Sequence, residues 1–188
     1  MSRPDPRGTR IVAWDPQDLR DHMRSAMTIY AEAMDYPLDV VDNRSGHAAE
    51  HTHRTGFRAR VALAEPDRLV GFCYGYTVEP GQWWHDQVQR ALTEDLARDW
   101  LPGALELCEL HVAPDRQGNG LGRALLLDLL GGASQPAVVL STPEGESRAW
   151  RLYRSLGFAD LARRYAFPGD GRPFAVLGAR LPLRPPDA

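Results

Sequence analysis

Three glycines at alternate positions, Gly118, Gly120 and Gly122, lie between an alternating apolar run and a leucine-rich segment. Glycine permits close approach of the backbone and positive φ angles. A loop that opens a helix presents unpaired amides at the positive end of the helix dipole, where anions bind. Arg116 and Arg123 flank the loop and offer charge-assisted contacts. The pattern therefore predicts a site for an anionic, phosphate-like group.

Two common phosphate-loop patterns do not fit this segment. The dinucleotide fingerprint requires a glycine at the sixth position counted from Gly118, where Arg123 stands, and no second βα unit with a suitably placed acidic residue follows. The P-loop requires a lysine, and all 22 basic residues of the chain are arginine. A tight βα turn without a ligand is the remaining alternative, although such a turn needs one glycine rather than three.

Strands and helices alternate around the loop, as judged from apolar periodicity. The predicted strands are Arg10–Trp14, Gly56–Glu65, Leu69–Val78, Ala104–Val112, Pro136–Ser141 and a final hairpin around Pro168–Gly171. The predicted helices are Asp15 to about Met34, Arg44–Arg54, Gly81–Trp100, Leu121–Leu130 and Glu146–Phe158. The short link between the second and third strands favours an antiparallel hairpin. One α/β domain over residues 10–181 is expected.

The third strand has two different faces. Its large residues point one way, and Gly71, Cys73 and Gly75 point the other way, so that either a helix or a ligand packs closely against the small face. Cys73 and Cys108 both lie in apolar runs, which favours buried thiols over a disulfide or a metal pair.

Composition limits the function classes. The chain has 188 residues, of which 43% are hydrophobic, and a net charge of −3, so no polycationic face argues for nucleic acid. No apolar run reaches the roughly 18 residues of a membrane span, and the N-terminus lacks the apolar core of a signal peptide. A cytoplasmic protein with no membrane partner is expected, with loose ends at residues 1–9 and 182–188.

The glycine loop resembles the Q/R-x-x-G-x-G/A motif of the GNAT superfamily of N-acetyltransferases, with Gln117, Gly120 and Gly122 at the defining positions. The preceding "LHVAPDR" is similar to the end of the family's fourth strand. Downstream, "AWRLYRSLGF" resembles a second signature, A-x-x-L-Y-x-x-x-G-F. The order of predicted elements agrees with the family from Arg10 to Leu181.

The resemblance implies an α/β fold with a mixed, mostly antiparallel sheet of six to seven strands. About four to five helices would flank this sheet, which would splay between strands four and five. Acetyl-CoA would lie in that opening, with its pyrophosphate at the loop amides and its pantetheine arm along strand four. The residues that the resemblance implies in cofactor binding are Leu110, His111, Val112, Gln117, Gly118, Asn119, Gly120, Leu121, Gly122, Arg123 and Ser147.

The resemblance also implies the catalytic groups. Tyr153 stands at the motif tyrosine, which typically points at the thioester sulfur and protonates the departing thiolate; a plain core position is its alternative. The family places a carboxylate base on strand four. Glu109 and Glu106 are the candidates, and alternation puts Glu106 with Cys108 and Glu109 with His111 on opposite faces. Glu109 is favoured slightly, and the ring of His111 is expected to face solvent or cofactor.

Two departures from the family pattern affect these expectations. The family often has asparagine seven residues before the tyrosine, where this chain has Glu146, so Ser147 or a backbone group is expected to substitute. The predicted helix containing Trp83 and Trp84 replaces a usually short link. It is expected to wall the acceptor pocket, to contact a second copy in a homodimer, or to be a plain core helix.

The segment "HAAEH" formally matches an inverted zinc-protease motif, with His47 and His51 on one helix face. No distal carboxylate ligand or peptidase scaffold accompanies it, so a solvated helix face is favoured over a metal site.

Two function classes follow from the sequence as a whole. The first is transfer of acetyl from acetyl-CoA to a primary amine of a small molecule or protein N-terminus by direct attack in a ternary complex. The second is a non-catalytic CoA-binding module.

Overall fold

The protein is represented by a computed structural model, in which the structure describes residues 8–183. The strands are β1 (Thr9–Trp14), β2 (Arg58–Ala64), β3 (Arg68–Thr77), β4 (Leu105–Val112), β5 (Ala137–Pro143), β6 (Ala159–Ala166) and β7 (Pro173–Arg180). The α-helices are α1 (Pro16–Asp21), α2 (Met23–Met34), α3 (Val40–His51), α4 (Trp83–Ala91), α5 (Glu94–Trp100), α6 (Leu121–Leu130) and α7 (Arg148–Ser155). No helix within residues 8–183 has both the length and the apolar character that crossing a bilayer requires.

The seven strands form one mixed sheet in the order β1-β2-β3-β4-β5-β7-β6. β2 pairs antiparallel with β1 and β3, and β7 pairs antiparallel with β5 and β6. β4 pairs in parallel with β5, where Leu105 lies opposite Val138 and Glu106 opposite Val139. The predicted mixed, mostly antiparallel sheet and its hairpins are therefore confirmed.

The chain divides into two compact units. The first unit runs to Tyr76 and resumes at Cys108–Gly132, and the second contains Thr77–Leu107 and the chain from Ala133 onward. The prediction of a single domain over residues 10–181 stays a prediction. Residues 1–7 and 184–188, which include most of both expected loose ends, lie outside the described residues. Thr9 was expected in a loose end, but it begins β1 and is buried.

The helix predicted from Asp15 to Met34 is two helices, because the backbone leaves the helical conformation at His22. Asp15 caps α1 as predicted, since its carboxylate accepts hydrogen bonds from the amides of Gln17 and Asp18. Nδ1 of His22 lies 2.9 Å from the carbonyl oxygen of Asp18. The amide of His22 would use that acceptor in a continuous helix, so the ring replaces it.

The helix predicted at Gly81–Trp100 is also divided. Leu92 is extended (φ −94°, ψ 155°), and the hydroxyl of Thr93 accepts a hydrogen bond from the amide of Leu96 at 3.4 Å. A threonine followed by two acidic residues is a helix-start signal in its own right. Residues 8–183 therefore contain seven α-helices rather than the four to five expected.

In the first unit, β3 separates a face of large side chains from a face of small ones. The residues of β3 that are buried in an apolar core with α2 and α3 are Phe72, Tyr74 and Tyr76. On the other face, a Cβ at Gly71 would lie 3.2 Å from the side chain of Leu125 in α6, and Sγ of Cys73 lies 3.5 Å from the carbonyl oxygen of Leu125. A helix therefore packs against the small face.

In the second unit, α4 is a core helix. Trp84 and Val88 are buried, and Nε1 of Trp84 donates to the hydroxyl of Ser141 in β5 at 2.9 Å. Trp83, the next residue towards the N-terminus, is 55% exposed. The core alternative for this helix is thus supported, while its predicted roles beside the acceptor or in a homodimer stay predictions.

Candidate active site

The glycine loop is built on the end of β4. A single 3-10 turn at Pro114–Arg116 follows the strand, and the side-chain amide of Gln117 donates back to the carbonyl oxygen of Val112 at 2.9 Å. Gly118 and Gly120 have φ angles of 78° and 77°. Side chains other than glycine are strained in this region, so two of the three glycines are required by the backbone itself.

The loop delivers the chain to α6 with its first amides uncapped. Gly120 is the N-cap and has no side chain to accept a hydrogen bond. The first hydrogen bond of the helix is donated by the amide of Ala124 to the carbonyl oxygen of Gly120, at 3.0 Å. The amides of Leu121, Gly122 and Arg123 precede it and have no acceptor within the helix. These donors and the helix dipole suit an anionic group.

The surface of the loop is open. A Cβ added at Gly118 or Gly120 would meet no atom within 4 Å, and both glycines are exposed. The side-chain amide of Asn119 lies within 3.4 Å of the carbonyl oxygens of Arg116 and Gln117, so it stabilises the loop. A diphosphate therefore has both the room and the backbone donors that the cofactor prediction requires.

Glu109 is the centre of a charged group in the first unit. Its Oε1 accepts a hydrogen bond from Nη2 of Arg44 in α3 at 2.8 Å, and its Oε2 lies 2.6 Å from Nε2 of His111. Burial by itself raises the pKa of Glu109, but the hydrogen bond with His111 and the charges of His111 and Arg44 outweigh it, so the pKa lies below its usual value. Glu109 is a carboxylate at neutral pH.

The ring of His111 packs inside the first unit. It makes an edge-to-face contact with Tyr30 of α2 at 5.0 Å and lies 5.6 Å from the ring of Phe72. Its side chain is 12% exposed. Because the ring is largely buried, the solvent-facing alternative is not favoured, and the expectation that it faces the cofactor stays a prediction.

A second polar cluster lies beside Glu109. Nδ1 of His51 lies 3.1 Å from the hydroxyl of Tyr74 and 3.5 Å from the thiol of Cys108. Burial and the charge of Arg54 lower the pKa of His51 to about 4, so its ring is neutral at neutral pH. Burial raises the pKa of Tyr74 well above its usual value, so its hydroxyl stays protonated.

The strict alternation expected along β4 is interrupted. Cys108 and Glu109 are consecutive, yet both side chains contact residues of α3, His51 and Arg44 respectively. The prediction that Cys108 and His111 lie on opposite faces is wrong for the same reason. Cys108 contacts Tyr74 and His111 contacts Phe72, and both of these rings are on the large face of β3.

The cluster also accounts for the histidine motif. His47 is exposed, whereas His51 turns inward to a hydroxyl and a thiol. Within residues 8–183, no group of three histidine, cysteine, aspartate or glutamate side chains is arranged to hold a metal ion. Both cysteines are free thiols; Cys73 is buried and Cys108 partly so.

The second unit contains the other candidate residues. Tyr153 is the buried residue of α7, at 6% exposure, and its ring lies 5.4 Å from that of Phe158. Ser147 is the N-cap of α7, and its hydroxyl oxygen accepts from the amide of Trp150 at 3.0 Å. Glu106, at the beginning of β4, is 3% exposed.

The structure brings together the loop residues and the strand end, and it places Glu109 against His111, as their spacing of two suggests. Arg44, His51 and Tyr74 are members of the polar clusters that sequence reasoning did not identify. Of these residues, His51 is the one with a signal in the sequence, in the histidine pair on α3, and the sequence favours a solvated helix face for that pair. Leu110 and the other predicted backbone contacts of the cofactor stay predictions.

Comparison with known proteins agrees with this geometry. Residues 18–158 match the Acetyltransferase (GNAT) family. A GCN5-like protein acetyltransferase of Mycobacterium tuberculosis is 40% identical over 203 residues, covering 92% of this chain and 98% of the relative.

Solved structures share the fold. A putative acetyltransferase of Salmonella typhimurium, solved with its cofactor acetyl-CoA, is 20% identical and has a TM-score of 0.63, with 96% of this chain and 98% of that chain covered. The ribosomal-protein-S18-alanine N-acetyltransferase of Escherichia coli is 18% identical and has a TM-score of 0.61, with the same coverage.

The family match and the 40% identical relative place the chain in the class of acetyltransferases. The chain belongs to the GNAT family of acetyltransferases. It is an enzyme that uses acetyl-CoA.

Proposed function

We propose that the protein transfers acetyl from acetyl-CoA to a primary amine by direct attack in a ternary complex. The observation that carries the proposal is the open loop of Gly118 and Gly120 before the uncapped start of α6, built on the same strand as Glu109 and His111. The loop suits the diphosphate of the cofactor, and the strand supplies groups that handle protons.

We further propose that the acceptor amine belongs to a protein. The Mycobacterium tuberculosis relative, at 40% identity over nearly its whole length, is named as a protein acetyltransferase. A small-molecule amine is the alternative acceptor, and a homodimer stays a prediction.

Three tasks follow for the chain's own residues. Acetyl-CoA, when bound, supplies an acetyl group activated as a thioester. The amides of Leu121, Gly122 and Arg123 hold the diphosphate end. An amine with a pKa of about 10.4 must first lose a proton to solvent and become neutral before it attacks. The Glu109–His111 pair takes the second proton, which the nitrogen loses as it bonds to the acetyl carbon. Tyr153 gives a proton to the departing sulfur.

The test is thiol release from acetyl-CoA in the presence of different amines. Peptides with free N-termini, peptides with lysine side chains and small polyamines form the panel, each compared with its N-acetylated form. We expect release that depends on the amine and is fastest with a peptide class. Binding of acetyl-CoA without release for every amine would support the non-catalytic alternative and overturn the proposal.

A further inference from the structure

We propose that Nδ1 of His111 accepts the proton of the attacking amine, and that Glu109 acts as a positioning residue for His111. This inference rests on the proposed acetyl transfer. It assigns to a histidine the task that the family resemblance implies for a carboxylate of strand four.

The hydrogen bonds determine the tautomer of His111. An ionised carboxylate only accepts hydrogen bonds, so the 2.6 Å contact with Oε2 of Glu109 requires that Nε2 of His111 carry the hydrogen. In the neutral ring, the lone pair is then on Nδ1. A proton acceptor is thereby placed on the ring nitrogen opposite the carboxylate, an arrangement in which the carboxylate stabilises the ring once it is protonated.

Glu109 is poorly suited to be the base itself. Both of its oxygens are engaged, one by the guanidinium of Arg44 and the other by His111. Its pKa lies below its usual value although the side chain is buried. A carboxylate that is stabilised as an anion in this way has little tendency to take a proton from an amine.

The surroundings of His111 hold its ring in one orientation. Tyr30 contacts it edge-to-face, and Phe72 packs against it from β3. The guanidinium of Arg44 lies 4.6 Å from the centre of the Tyr30 ring, so the same arginine fixes both Glu109 and Tyr30. A catalytic group needs a fixed orientation of this kind.

The titratable and charged groups near the pair come from four elements. They are Tyr30 of α2, Arg44 and His51 of α3, Tyr74 of β3, and Cys108 of β4. His51 is neutral at neutral pH and Tyr74 is protonated. Among these groups, Arg44 and Glu109 are therefore the charged side chains, and they form an ion pair with each other.

The proposed step balances. As the amine nitrogen bonds to the carbonyl carbon and the bond between that carbon and sulfur breaks, the nitrogen loses one proton to Nδ1 of His111. The sulfur gains one proton from Tyr153. Glu109 stays an anion throughout and stabilises the imidazolium. After the products leave, the imidazolium returns its proton to solvent and Tyr153 regains a proton from solvent, so that both groups are reset.

Two variants divide the roles, with His47→Gln as the matched control because His47 is exposed. We expect His111→Gln to lower kcat by about 100-fold or more, as removal of a general base does. Glu109→Gln keeps a hydrogen-bonding group and should lower kcat by about tenfold. Both variants should bind acetyl-CoA within about threefold of wild type, and the control should match wild type in both respects.

The pH profile of kcat distinguishes positioning from catalysis. In wild type, the rate should fall on the acidic side of the profile, where the catalytic base becomes protonated. Glu109→Gln removes the anion that favours the imidazolium, so that acidic limb should move to lower pH by about one unit. In His111→Gln the limb should be absent from the residual rate.

The inference is overturned if His111→Gln retains near-wild-type kcat, or if Glu109→Gln loses both activity and the acidic limb while His111→Gln keeps them. If circular dichroism and acetyl-CoA binding show that His111→Gln does not fold, the Glu109→Gln variant tests the inference by itself. A shift of the acidic limb of its pH profile to lower pH supports the inference, and no shift or the opposite shift overturns it. Failure of wild type with every amine would instead count against the proposed function.

Discussion

Tyr153 combines a buried position in the core with a proposed catalytic role. It is buried in the second unit and packs near Phe158, and it stands at the tyrosine of the family motif. Its hydroxyl is a polar group that a core position alone does not require.

We expect Tyr153→Phe to lower turnover at least tenfold, because it removes the proposed proton donor for the departing sulfur while keeping the ring. Steady-state rates and acetyl-CoA titrations of the two proteins measure this, and the affinity should be nearly unchanged. Unchanged turnover would remove Tyr153 from the mechanism and leave it a core residue.

His51 predicts a pH dependence of stability. Burial and Arg54 lower its pKa from about 6.5 in the unfolded chain to about 4 in the fold. Between these values the unfolded state binds more protons, so the contribution is present above about pH 6.5 and is lost as the pH falls towards about 4.

The His51→Gln variant lacks the imidazole that takes up a proton when the chain unfolds. We expect urea unfolding to show that wild type loses on the order of 2 kcal/mol more stability than His51→Gln between pH 7.5 and pH 5. The exposed His47→Gln should behave like wild type. Equal losses in all three proteins would contradict the buried neutral state of His51.

At the scale of elements, the start of α6 depends on Gly120. Its φ of 77° and its position as N-cap leave the first amides of the helix open. A Cβ there meets no neighbouring atom, so any penalty comes from the backbone conformation.

We expect Gly120→Ala to lower the free energy of unfolding by about 1 kcal/mol and to weaken acetyl-CoA binding about tenfold, since the amides no longer converge. Gly46→Ala is the matched control. Gly46 is an exposed helical residue without a positive φ, and its change to alanine should stabilise by about 0.5–1 kcal/mol. Calorimetry measures both quantities, and unchanged affinity in Gly120→Ala would count against the loop as the diphosphate site.

The start of α7 depends on Ser147 in a different way, because its side chain caps the helix. We expect Ser147→Ala to cost about 1 kcal/mol of stability and, if its hydroxyl also contacts the cofactor, to weaken acetyl-CoA binding about threefold to tenfold. Ser155→Ala, an exposed change at the other end of α7, is the control. Lost stability with unchanged affinity would restrict Ser147 to capping.

At the scale of the whole molecule, a ligand that binds only the folded state raises the melting temperature. At a concentration 100 times its dissociation constant, acetyl-CoA should add about 2.7 kcal/mol. For a chain of this length the increase in Tm is then about 5–10 °C. Scanning calorimetry with and without acetyl-CoA tests this, and additions of buffer without acetyl-CoA are the blank. An unchanged Tm would contradict cofactor binding.

Local sequence was sufficient for the elements around the loop. The bounds of α6, Leu121–Leu130, were predicted without error, because a leucine stripe between glycines specifies both ends of a helix. The breaks that divide two of the predicted helices were not predicted, and the reason is also local. The signals at His22 and Thr93 are polar side chains that bond to the backbone, and apolar periodicity does not register them.

The amino-acid sequence by itself determined the alternation of strands and helices, the glycine loop and the family. Each of these depends on spacing within a few residues or on a motif. Only the tertiary structure decided that Arg44, 65 residues from Glu109 in sequence, binds its carboxylate, and that Cys108 and Glu109 approach the same helix. Such contacts depend on how α3 packs against β4, and a periodicity rule describes the side chains of one element at a time.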